Sequence, residues 1–408
     1  MSVFGVYSEV GQLRKVIVHR PDASLEHVTC TNQKPSQSED ALWAKKAGEE
    51  HDIFVSLLRD QNVEILYLDS LLEQTLSYPD ARDWLLDRRI QPVRMGPSLS
   101  RDIREWLDEV PSKILTDILT GGITFARLPF KTDDPVATAL DPDAFVLPPL
   151  PNQMFTQDAS SWIYNGVSLN PIGPCARKGE SDNVAAVYHF HPSFEEALIN
   201  IWWGLDKDLY GNVSLQGSDV MVLGHGIVAI AMGSHTTSRA VSELASALLS
   251  RAEVEEVIAI KMPPRFAQSR FDFAFNMCSP DLALVCKPIT DGITCYSIRM
   301  SNETNKLVIE KLRQHLVEVM RRALRLKKLR TIDIDGCNGI TSDSRSQNAS
   351  VLVIKPGIVA SYASETETNA LLGAAGVDVL PFETSELSRS GGGPRRLACA
   401  VLRGPLLN

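Results

Sequence analysis

The N-terminal part of the chain alternates short apolar runs with an amphipathic stretch. KVIVHR (residues 15–20) and VEILYL (63–68) are rich in β-branched residues, which favours strands. Between them, EEHDIFVSLLRDQ (49–61) has apolar residues at the spacing of a helix that is buried on one side. The order strand, helix, strand predicts a β-α-β unit and an α/β fold class.

The signals for strands vanish in the next part of the chain. DARDWLLDRRI (80–90) and RDIREWLDEVPSKILTDIL (101–119) have helical periodicity instead. Strands resume in FTQDASSWIYNGVSLN (155–170), where β-branched and aromatic residues return. We therefore predict a helical insertion over residues 71–145, within a single domain that spans 1–408.

One segment of the chain recurs. VMVLGHGIVAIAMGSHTTSRAVSELASALL (220–249) and VLVIKPGIVASYASETETNALLGAAGVDVL (351–380) align without a gap, share GIVA, and place Thr237 opposite Thr368. Both have the pattern of a strand, a glycine turn, a second strand and a helix. Recurring units of this size predict a pseudosymmetric ring whose strand ends converge on a central pocket. The alternative is an open, doubly wound sheet with a coincidental repeat.

Two other segments have patterns that could indicate binding. NKLVIEKLRQHLVEVMRRALRLKKLR (305–330) has the composition of a basic helical segment, which could contact an acidic partner but more often is a solvated helix face. YHFHP (188–192) places His189 and His191 at strand spacing on one face. We find no third ligand for these histidines, so we predict no metal site.

Composition excludes several classes of protein. The 408 residues are 44% apolar and 22% charged, which is typical of a globular chain with a large core. A net charge of -9 argues against a nucleic-acid binder. The chain has no apolar run of the roughly 18 residues that a membrane span needs, and its N-terminus lacks the pattern of a signal peptide. We expect a cytoplasmic protein with a small-molecule partner, and with neither nucleic acid nor membrane as a partner.

Cysteine and glycine patterns give no sign of a cofactor. The seven cysteines are an odd number without CxxC spacing, which indicates reduced thiols and no zinc finger. Near the end of the chain, SRSGGGPRRLAC (388–399) is rich in glycine, but neither GxxxxGK[ST] nor GxGxxG occurs in the chain. We therefore predict no cofactor. Such a turn often delivers one side chain to a pocket, and Arg396 and Cys399 are its candidates.

Several motifs together resemble the arginine deiminase family. They occur in the family's order over nearly the whole chain: EVGQLRKVIVHRP (9–21), EEHDIF (49–54), PLPNQMFTQDASSW (149–162), LQGSDVMVLGHGIVAIAMGSHTT (215–237), PPRFAQSRFDFAFNM (263–277), YASETETNALL (362–372) and SELSRSGGGPRR (385–396). The resemblance implies a pentein fold, which is a five-bladed α/β-propeller of ββαβ-type modules with a helical insertion. It also implies assembly as a homo-oligomer, because family members often form dimers or larger oligomers.

The family's reaction hydrolyses a guanidinium group to a ureido group and ammonia. A thiolate attacks the guanidinium carbon, a histidine moves protons, and carboxylates hold the N–H groups. In this chain the resemblance places Arg396 at the nucleophile's position and Arg270 at that of the histidine. The carboxylates Asp158 and Asp272 match the family pattern, whereas Gln216 stands where the family has a glutamate.

Some of the family positions that bind the amino-acid end of the substrate are conserved in this sequence, and others are replaced. Asn152, Phe155 and Arg177 match family positions. His235 and Gly391 stand where the family has arginines. The residues that we carry forward as candidates are Asp158, Asp272, Arg270 and His235 for catalysis, and Asn152, Phe155, Arg177, Gln216 and Arg396 for substrate binding.

These replacements change the charge of the implied site. The family pattern of one Glu, two Asp, a thiolate and a protonated His sums to about -3, which attracts a guanidinium cation. Here Asp158 and Asp272 are balanced by Arg270 and Arg396. Arginine stays protonated near neutral pH and cannot act as a nucleophile. We therefore expect that the chain is not a functional arginine deiminase.

We do not expect another cysteine to replace the nucleophile. Cys399 follows Arg396 at an odd spacing, which in an extended segment directs the two side chains to opposite faces. Cys278 would lie too far from Asp272 along a strand. Cys337, in the loop DIDGCNGIT, has no base beside it in the sequence.

Two main hypotheses remain open from the sequence. In the first, the pocket is open and Arg270, Arg396 and Arg177 bind a carboxylate-bearing or amino-acid-derived metabolite. His235 or Asp272 would then carry protons in a repurposed reaction that needs no thiol. In the second, Arg396 or Arg270 plugs the site by pairing with a carboxylate, and the protein is a non-catalytic ligand-binding or regulatory pseudoenzyme. Retained deiminase or amidinotransferase activity is a third, weaker reading.

Overall fold

A computed structural model provides the coordinates of the protein. It describes residues 3–21, 44–132, 134, 141–173, 177–205, 213–251, 254–301, 303–304, 306–334, 350–389 and 391–406. The strands are β1 (Gly5–Val6), β2 (Leu13–Val18), β3 (Glu64–Tyr67), β4 (Ile123–Thr124), β5 (Phe145–Leu147), β6 (Ser160–Ile163), β7 (Gly166–Leu169), β8 (Asn200–Trp203), β9 (Val220–Gly224), β10 (Ile227–Met232), β11 (Glu256–Lys261), β12 (Phe275–Ser279), β13 (Leu282–Val285), β14 (Thr294–Met300), β15 (Leu307–Lys311), β16 (Arg330–Asp333), β17 (Leu352–Lys355), β18 (Ile358–Tyr362), β19 (Asp378–Phe382) and β20 (Cys399–Arg403).

Helices connect these strands. They are α1 (Ala44–Asp60), α2 (Leu68–Thr75), α3 (Pro79–Arg89), α4 (Pro92–Met95), α5 (Pro97–Glu109), α6 (Ser112–Gly121), α7 (Thr156–Ala159), α8 (Lys178–Phe190), α9 (Pro192–Glu195), α10 (Ser238–Ser250), α11 (Phe271–Ala274), α12 (Lys287–Thr290), α13 (Leu316–Ala323), α14 (Thr366–Ala374) and α15 (Glu386–Arg389). Short 3-10 turns cover Phe125–Arg127, Pro151–Met154, Gly217–Asp219, Pro264–Phe266 and Pro394–Leu397.

Five sheets share one connection pattern. Each has an antiparallel pair of strands whose second member also pairs in parallel with a third strand: β20, β2 and β3; β6, β7 and β8; β9, β10 and β11; β12, β13 and β16; β17, β18 and β19. A helix lies between the second and third strand each time, as a parallel connection requires. The α/β class is confirmed, and the closed five-bladed ring stays a prediction.

The predicted repeat is confirmed by two of these sheets. β9, β10 and α10 fall within residues 220–249, and β17, β18 and α14 fall within residues 351–380. Both hairpins are buried because their strands consist almost entirely of β-branched and other apolar residues. The first β-α-β unit is present as well, in β2, α1 and β3, with ends that differ by a few residues from the prediction.

Helices α2 to α6 follow one another in the chain, after the last strand of the first sheet (β3) and before the first strand of the second (β6). α8 packs against α2 and α3, and the leucines and isoleucines that face inward are fully buried, among them Leu85, Leu86, Leu99, Ile103 and Leu107. The helical signal ends earlier than predicted, at Gly121, because Gly122 has a φ of 77° and terminates α6. Ile123–Thr124 and Phe145–Leu147 then form a small antiparallel pair instead of helix. The single-domain organisation with an insertion over 71–145 stays a prediction.

Two predictions from the sequence are wrong. Residues 305–330 are not one basic helix, because Leu307–Lys311 form an edge strand beside β14 and only Leu316–Ala323 are α-helical. His189 and His191 do not share a strand face, since His189 lies in α8 and His191 follows its end. The Nδ1 atom of His191 accepts a hydrogen bond from the backbone of Ser193 and so caps α9.

No helix in the described part of the chain is long and apolar enough to cross a membrane. Among the same residues, no group of three or more His, Cys, Asp and Glu side chains is arranged to hold a metal ion.

Candidate functional site

Short helical turns deliver the buried charges of the candidate site. Asp158 lies on α7 before β6, Asp219 on the 3-10 turn before β9, and Asp272 on α11 before β12. Arg396 lies on the 3-10 turn before β20. Each turn precedes the first strand of one of the five sheets, and each of these four residues is at most 3% exposed. The four charged side chains therefore occupy equivalent positions in four of the sheets, each on the short turn before the first strand.

Arg396 forms a two-bond fork with Asp158. Its Nε atom donates to Oδ1 of Asp158 over 3.1 Å, and its Nη2 atom donates to Oδ2. The guanidinium carbon lies 3.9 Å from the centre of the Phe155 ring, which adds a cation–π contact. Since Asp158 is 0% exposed, no solvent reaches its carboxylate. The carboxylate is occupied by the protein's own guanidinium group.

Two more side chains donate to the same carboxylate. Arg177 Nη2 lies 3.0 Å and Gln216 Nε2 2.9 Å from Oδ2 of Asp158. Burial alone would raise the pKa of Asp158, but the charges of Arg396 and Arg177 outweigh it and hold the pKa well below its usual range. Asp158 is therefore ionised and saturated with donors, which is what a buried carboxylate needs in order to be stable.

Glu180 is a member of the site that the sequence analysis missed. Arg177 Nε lies 3.0 and 3.1 Å from its two oxygens, and Arg177 Nη2 lies 2.7 Å from Oε2. Arg177 is thus shared between two carboxylates and is not a free cation for a substrate. The signal was present in the sequence, because Glu180 stands three residues after Arg177 at the start of a helical segment.

Arg270 is paired less completely than Arg396. Its Nη2 atom donates to the carbonyl of Gly391, and its Nε atom is 3.9 Å from Oδ1 of Asp272 and makes no hydrogen bond among the described residues. Burial and the neighbouring charge of Arg396 lower the pKa of Arg270 to about 10. Both oxygens of Asp272 are buried without a hydrogen-bond partner in the described part, and burial raises the pKa of this carboxyl group.

The glycine turn brings its backbone close to the two arginines. Gly391 has a φ of 78°, and its carbonyl accepts hydrogen bonds from both Arg270 and Arg396. A Cβ atom on Gly392 would lie 2.1 Å from the Phe155 ring, so this position requires glycine for space. The hydroxyl of Tyr362 donates to the carbonyl of Gly392 over 2.6 Å and fixes the turn.

A carboxylate from the first helix anchors the loop before this turn. Glu50 accepts hydrogen bonds from the backbone amides of Ser385, Glu386 and Leu387 over 2.7 to 3.0 Å. The hydroxyl of Ser385 donates to it as well, over 2.8 Å. Glu50 thereby satisfies the amides at the start of α15, which leads into the glycine turn.

His235 and Asn152 lie at the margin of the site. The Nε2 atom of His235 is 3.0 Å from the carbonyl of Gln268, and burial followed by the charge of Arg270 lowers the pKa of its imidazole. Asn152 lies half-buried on the 3-10 turn Pro151–Met154. The described contacts therefore bring seven predicted residues together, namely Asp158, Phe155, Arg177, Gln216, Arg270, Asp272 and Arg396. Among the described contacts, neither His235 nor Asn152 has a side-chain hydrogen bond to any of these seven.

The comparison with protein families identifies the chain's relatives. The family model for arginine deiminase matches residues 38–403. The chain belongs to the arginine deiminase family. This agrees with the resemblance read from the motifs, and it covers all the residues of the charged centre.

Solved structures of other proteins share this family member's fold. Dimethylarginine dimethylaminohydrolase from Pseudomonas aeruginosa, a Cys-to-Ser mutant in complex with citrulline, superposes with a TM-score of 0.52 at 12% identity, over 95% of this chain and 99% of that one. The N-terminal domain of ArgZ, an arginine dihydrolase from cyanobacteria bound to its product, gives a TM-score of 0.53 at 12% identity, over 97% of this chain and all of the other. At such identities the likeness concerns the fold alone.

Four cysteines of this arginine deiminase family member lie in the described part, and all are buried. Cys286 is disulfide-bonded, so the expectation that the thiols are all reduced is wrong, whereas Cys278, Cys295 and Cys399 are free. Burial raises the pKa of Cys399 to about 11 and the pKa values of Cys278 and Cys295 to about 12. Cys399 lies next to Ser160, with its sulfur 3.5 Å from the hydroxyl oxygen. None of the three is a ready thiolate. Cys337 lies outside the described residues.

The prediction that Arg396 and Cys399 lie in one extended segment is wrong. Arg396 is not in an extended segment but in the 3-10 turn Pro394–Leu397, so the alternation of strand side chains does not apply to this pair. The same holds for Cys278, because Asp272 lies on the helical turn α11 and only Cys278 is on a strand. The sulfur of Cys399 contacts Ser160 and Tyr188.

Proposed function

We propose that this member of the arginine deiminase family does not hydrolyse arginine and acts as a non-catalytic small-molecule-binding or regulatory protein. The observation that carries the proposal is the fork between Arg396 and Asp158. A guanidinium group on a buried carboxylate is the interaction that an arginine substrate would need. The side chain of Arg396 supplies that group from within the chain, at the position that the motifs assign to the nucleophile.

The charges around the fork support this proposal. Asp158 and Asp272 are matched by Arg270 and Arg396, and Arg177 is matched by Glu180. Asp219 is a further buried carboxyl group of the centre, and burial raises its pKa to about 7, so it adds only part of a negative charge near neutral pH. A second guanidinium cation would therefore meet little excess negative charge and would have to displace a charge-assisted fork. Arginine remains protonated at neutral pH, so Arg396 offers no nucleophile. The neighbours in fold, by contrast, were solved with citrulline or with the product of an arginine dihydrolase.

We further propose that the five sheets close into a ring around this centre. The support is the equivalent placement of Asp158, Asp219, Asp272 and Arg396 on turns before the first strands of four sheets. In such a ring the N-terminal ends of these strands converge, so that one turn per module faces the axis. The cytoplasmic location expected from the sequence is kept as part of the proposal.

The ligand that fits the remaining site best is a small carboxylate-bearing molecule. Arg270 is the cation with the weakest pairing, because Asp272 is 3.9 Å from its Nε atom. Its side chain is 15% exposed, whereas that of Arg396 is 3% exposed. A carboxylate that reaches Arg270 from the side of His235 would gain the charge-assisted hydrogen bonds that Asp272 does not supply.

A second candidate function is a repurposed enzyme that needs no thiol. The specific support is the carboxylate of Asp272, whose oxygens have no hydrogen-bond partner among the described residues, together with the imidazole of His235, whose lowered pKa favours a neutral base. In that case Arg270 would orient an anionic metabolite while Asp272 or His235 moved a proton. Turnover of a carboxylate-bearing substrate would distinguish this candidate from simple binding.

The first test is incubation of the full chain with arginine, with citrulline and ammonia followed by mass spectrometry and a coupled assay. We expect no product above a protein-free blank, while an active arginine deiminase in the same buffer serves as the positive control. Citrulline whose amount scales with this protein would contradict the proposal. A rise in the thermal stability of the parent chain with ethylguanidinium, a guanidinium compound without a carboxylate, would contradict it as well.

The second test concerns the carboxylate ligand. Thermal unfolding is measured with succinate, glutamate and citrulline as probes, for the parent chain and for Arg270→Gln. Stabilisation that is lost in Arg270→Gln, but kept in the exposed control Arg265→Gln, supports binding at this site. Equal responses of all three proteins would argue against Arg270 as the anion-binding group.

A further inference from the structure

The edge strand β15 presents apolar side chains to solvent. In the part of the chain that the structure describes, β15 has a strand neighbour on one side only, namely β14. Val308 and Ile309 at its centre are 53% and 59% exposed. An exposed edge with adjacent β-branched residues is a template for pairing with another strand. Natural proteins usually protect such an edge with short strands, charges or a covering element.

Ile309 also ends a row of apolar side chains that crosses the sheet. Val228 on β10 is opposite Val257 on β11, which is opposite Ile298 on β14, which in turn is opposite Ile309. The first three are at most 4% exposed. Residues opposite one another lie on the same face of a sheet, so the row runs from the core to the open edge. A further strand beside β15 would continue the row.

The backbone of β15 alternates between bonds to β14 and groups that point outward. The amide of Leu312 donates to Cys295, and the carbonyl of Lys306 accepts from Ser301. Hydrogen-bonded pairs recur every second residue in an antiparallel ladder, so the even-numbered residues bond to β14. The N–H and C=O groups of Leu307 and Ile309 therefore face the open edge.

We propose that this edge pairs with β15 of a second copy of the chain, antiparallel and about a two-fold axis at Val308. Lys306 of one copy is then opposite Glu310 of the partner subunit, and the reverse pair follows by symmetry. Leu307 of one copy exchanges two backbone hydrogen bonds with Ile309 of the partner subunit, using the groups that face outward. The two sheets join into one continuous sheet.

Charge selects this register over its neighbours. The outward groups belong to Leu307, Ile309 and Lys311. Registers that pair these groups with one another and overlap by at least three residues of β15 place the axis at Val308, Ile309 or Glu310. An axis at Glu310 sets two like charges directly opposite, which is destabilising. An axis at Ile309 leaves Lys306 and Glu310 without opposite charges across the strand. The axis at Val308 gives two ion pairs on either side of a valine pair.

The first experiment reverses the charges in the full chain. Sedimentation velocity over a range of concentrations should show a monomer–dimer equilibrium for the parent. Lys306→Glu or Glu310→Lys alone creates two like-charge pairs and should raise the dimer dissociation constant by at least ~10-fold. The double variant restores opposite charges and should return the constant to near the parent value. Lys327→Glu, an exposed lysine outside the strand, is the matched control.

The second experiment tests the register with a covalent bond. In this register the two copies of residue 308 form a pair without backbone hydrogen bonds, with Cα atoms about 4.5 Å apart. That spacing suits a disulfide. Val308→Cys should therefore form a covalent dimer under mild oxidation. Ile309→Cys should not, because its two copies are diagonal neighbours and too far apart.

Several outcomes of these two experiments would contradict the proposed dimer. A parent chain that stays monomeric at all accessible concentrations would overturn it, as would a dimer that neither single charge reversal weakens. Equal cross-linking of Val308→Cys and Ile309→Cys would reject the register. The parent chain under the same oxidation provides the background from its own cysteines. These outcomes do not depend on the proposed function, because β15 contains none of the candidate site residues.

Discussion

Removing the guanidinium group of Arg396 should open a site that free guanidinium compounds can refill. Arg396→Ala deletes two charge-assisted hydrogen bonds to Asp158 and the contact with the Phe155 ring. Breaking a buried ion pair typically costs about 3–5 kcal/mol. Asp158 keeps Arg177 and Gln216 as donors, so we expect a loss of stability near the lower limit, about 3 kcal/mol.

The assay is a comparison of unfolding midpoints in heat and in urea. Ethylguanidinium matches the part of the side chain that the substitution removes. At ten times its dissociation constant it should return about 1.4 kcal/mol to Arg396→Ala and leave the parent unchanged, because in the parent the carboxylate is occupied. Ethylammonium at equal concentration controls for charge and ionic strength, since it cannot form the fork.

A matched substitution separates this effect from the loss of any arginine. Arg330 forms a fork with Asp281 as well, but the two side chains are 45% and 46% exposed. Arg330→Ala should therefore cost less than about 1 kcal/mol and show no rescue. If Arg396→Ala were no more destabilising than Arg330→Ala, or if ethylguanidinium stabilised neither variant, the idea that Arg396 fills a guanidinium site would be refuted.

Three further predictions concern the same region. Asp158→Asn should be most destabilising near neutral pH, where the parent has an ionised, paired carboxylate. The pKa of Asp158 is lower in the folded than in the unfolded protein, so the stability that its charge provides is lost as the pH falls below about 4. The difference in unfolding free energy between parent and variant should therefore shrink in acid. Glu50→Gln should lower the thermal midpoint because three backbone amides lose a charged acceptor, and the exposed substitution Glu49→Gln is its control. Gly392→Ala should destabilise far more than Gly391→Ala in urea unfolding: the first Cβ would meet an aromatic ring at 2.1 Å, while the second has no atom within 4 Å and a conformational cost of about 1 kcal/mol. Equal effects of the two glycine substitutions would count against the close packing of the turn.

Much of the fold was accessible from the pattern of apolar residues. The hairpins of the repeat could be recognised because their strands are buried on both faces and rich in valine and isoleucine. The edge strand was missed because Val308 and Ile309 stand in a lysine-rich stretch with helical spacing, and pairing with β14 decides its conformation. Tertiary pairing overrides local propensity in such segments.

The candidate site was accessible only through the motifs. Asp158 and Arg396 are 238 residues apart, and no local pattern relates them. Their positions in the family motifs suggested, as one of two main hypotheses, that an arginine pairs with a carboxylate and plugs the site. The fork between Arg396 and Asp158 is such a pair. The sharing of the Gly391 carbonyl by Arg270 and Arg396 had no signal in the sequence, because it depends on the left-handed backbone of one glycine.

The position of β20 sets the order in which the molecule can be completed. This strand lies between β1 and β2 in the first sheet, although almost the whole chain separates it from both. During synthesis the first sheet therefore lacks β20 until residues 399–403 leave the ribosome, and the facing edges of β1 and β2 stay unpaired until then. Arg396 immediately precedes β20, so Asp158 receives its cation at the same step. Insertion of β20 between β1 and β2 thus completes the first sheet and brings Arg396 to Asp158 in a single event.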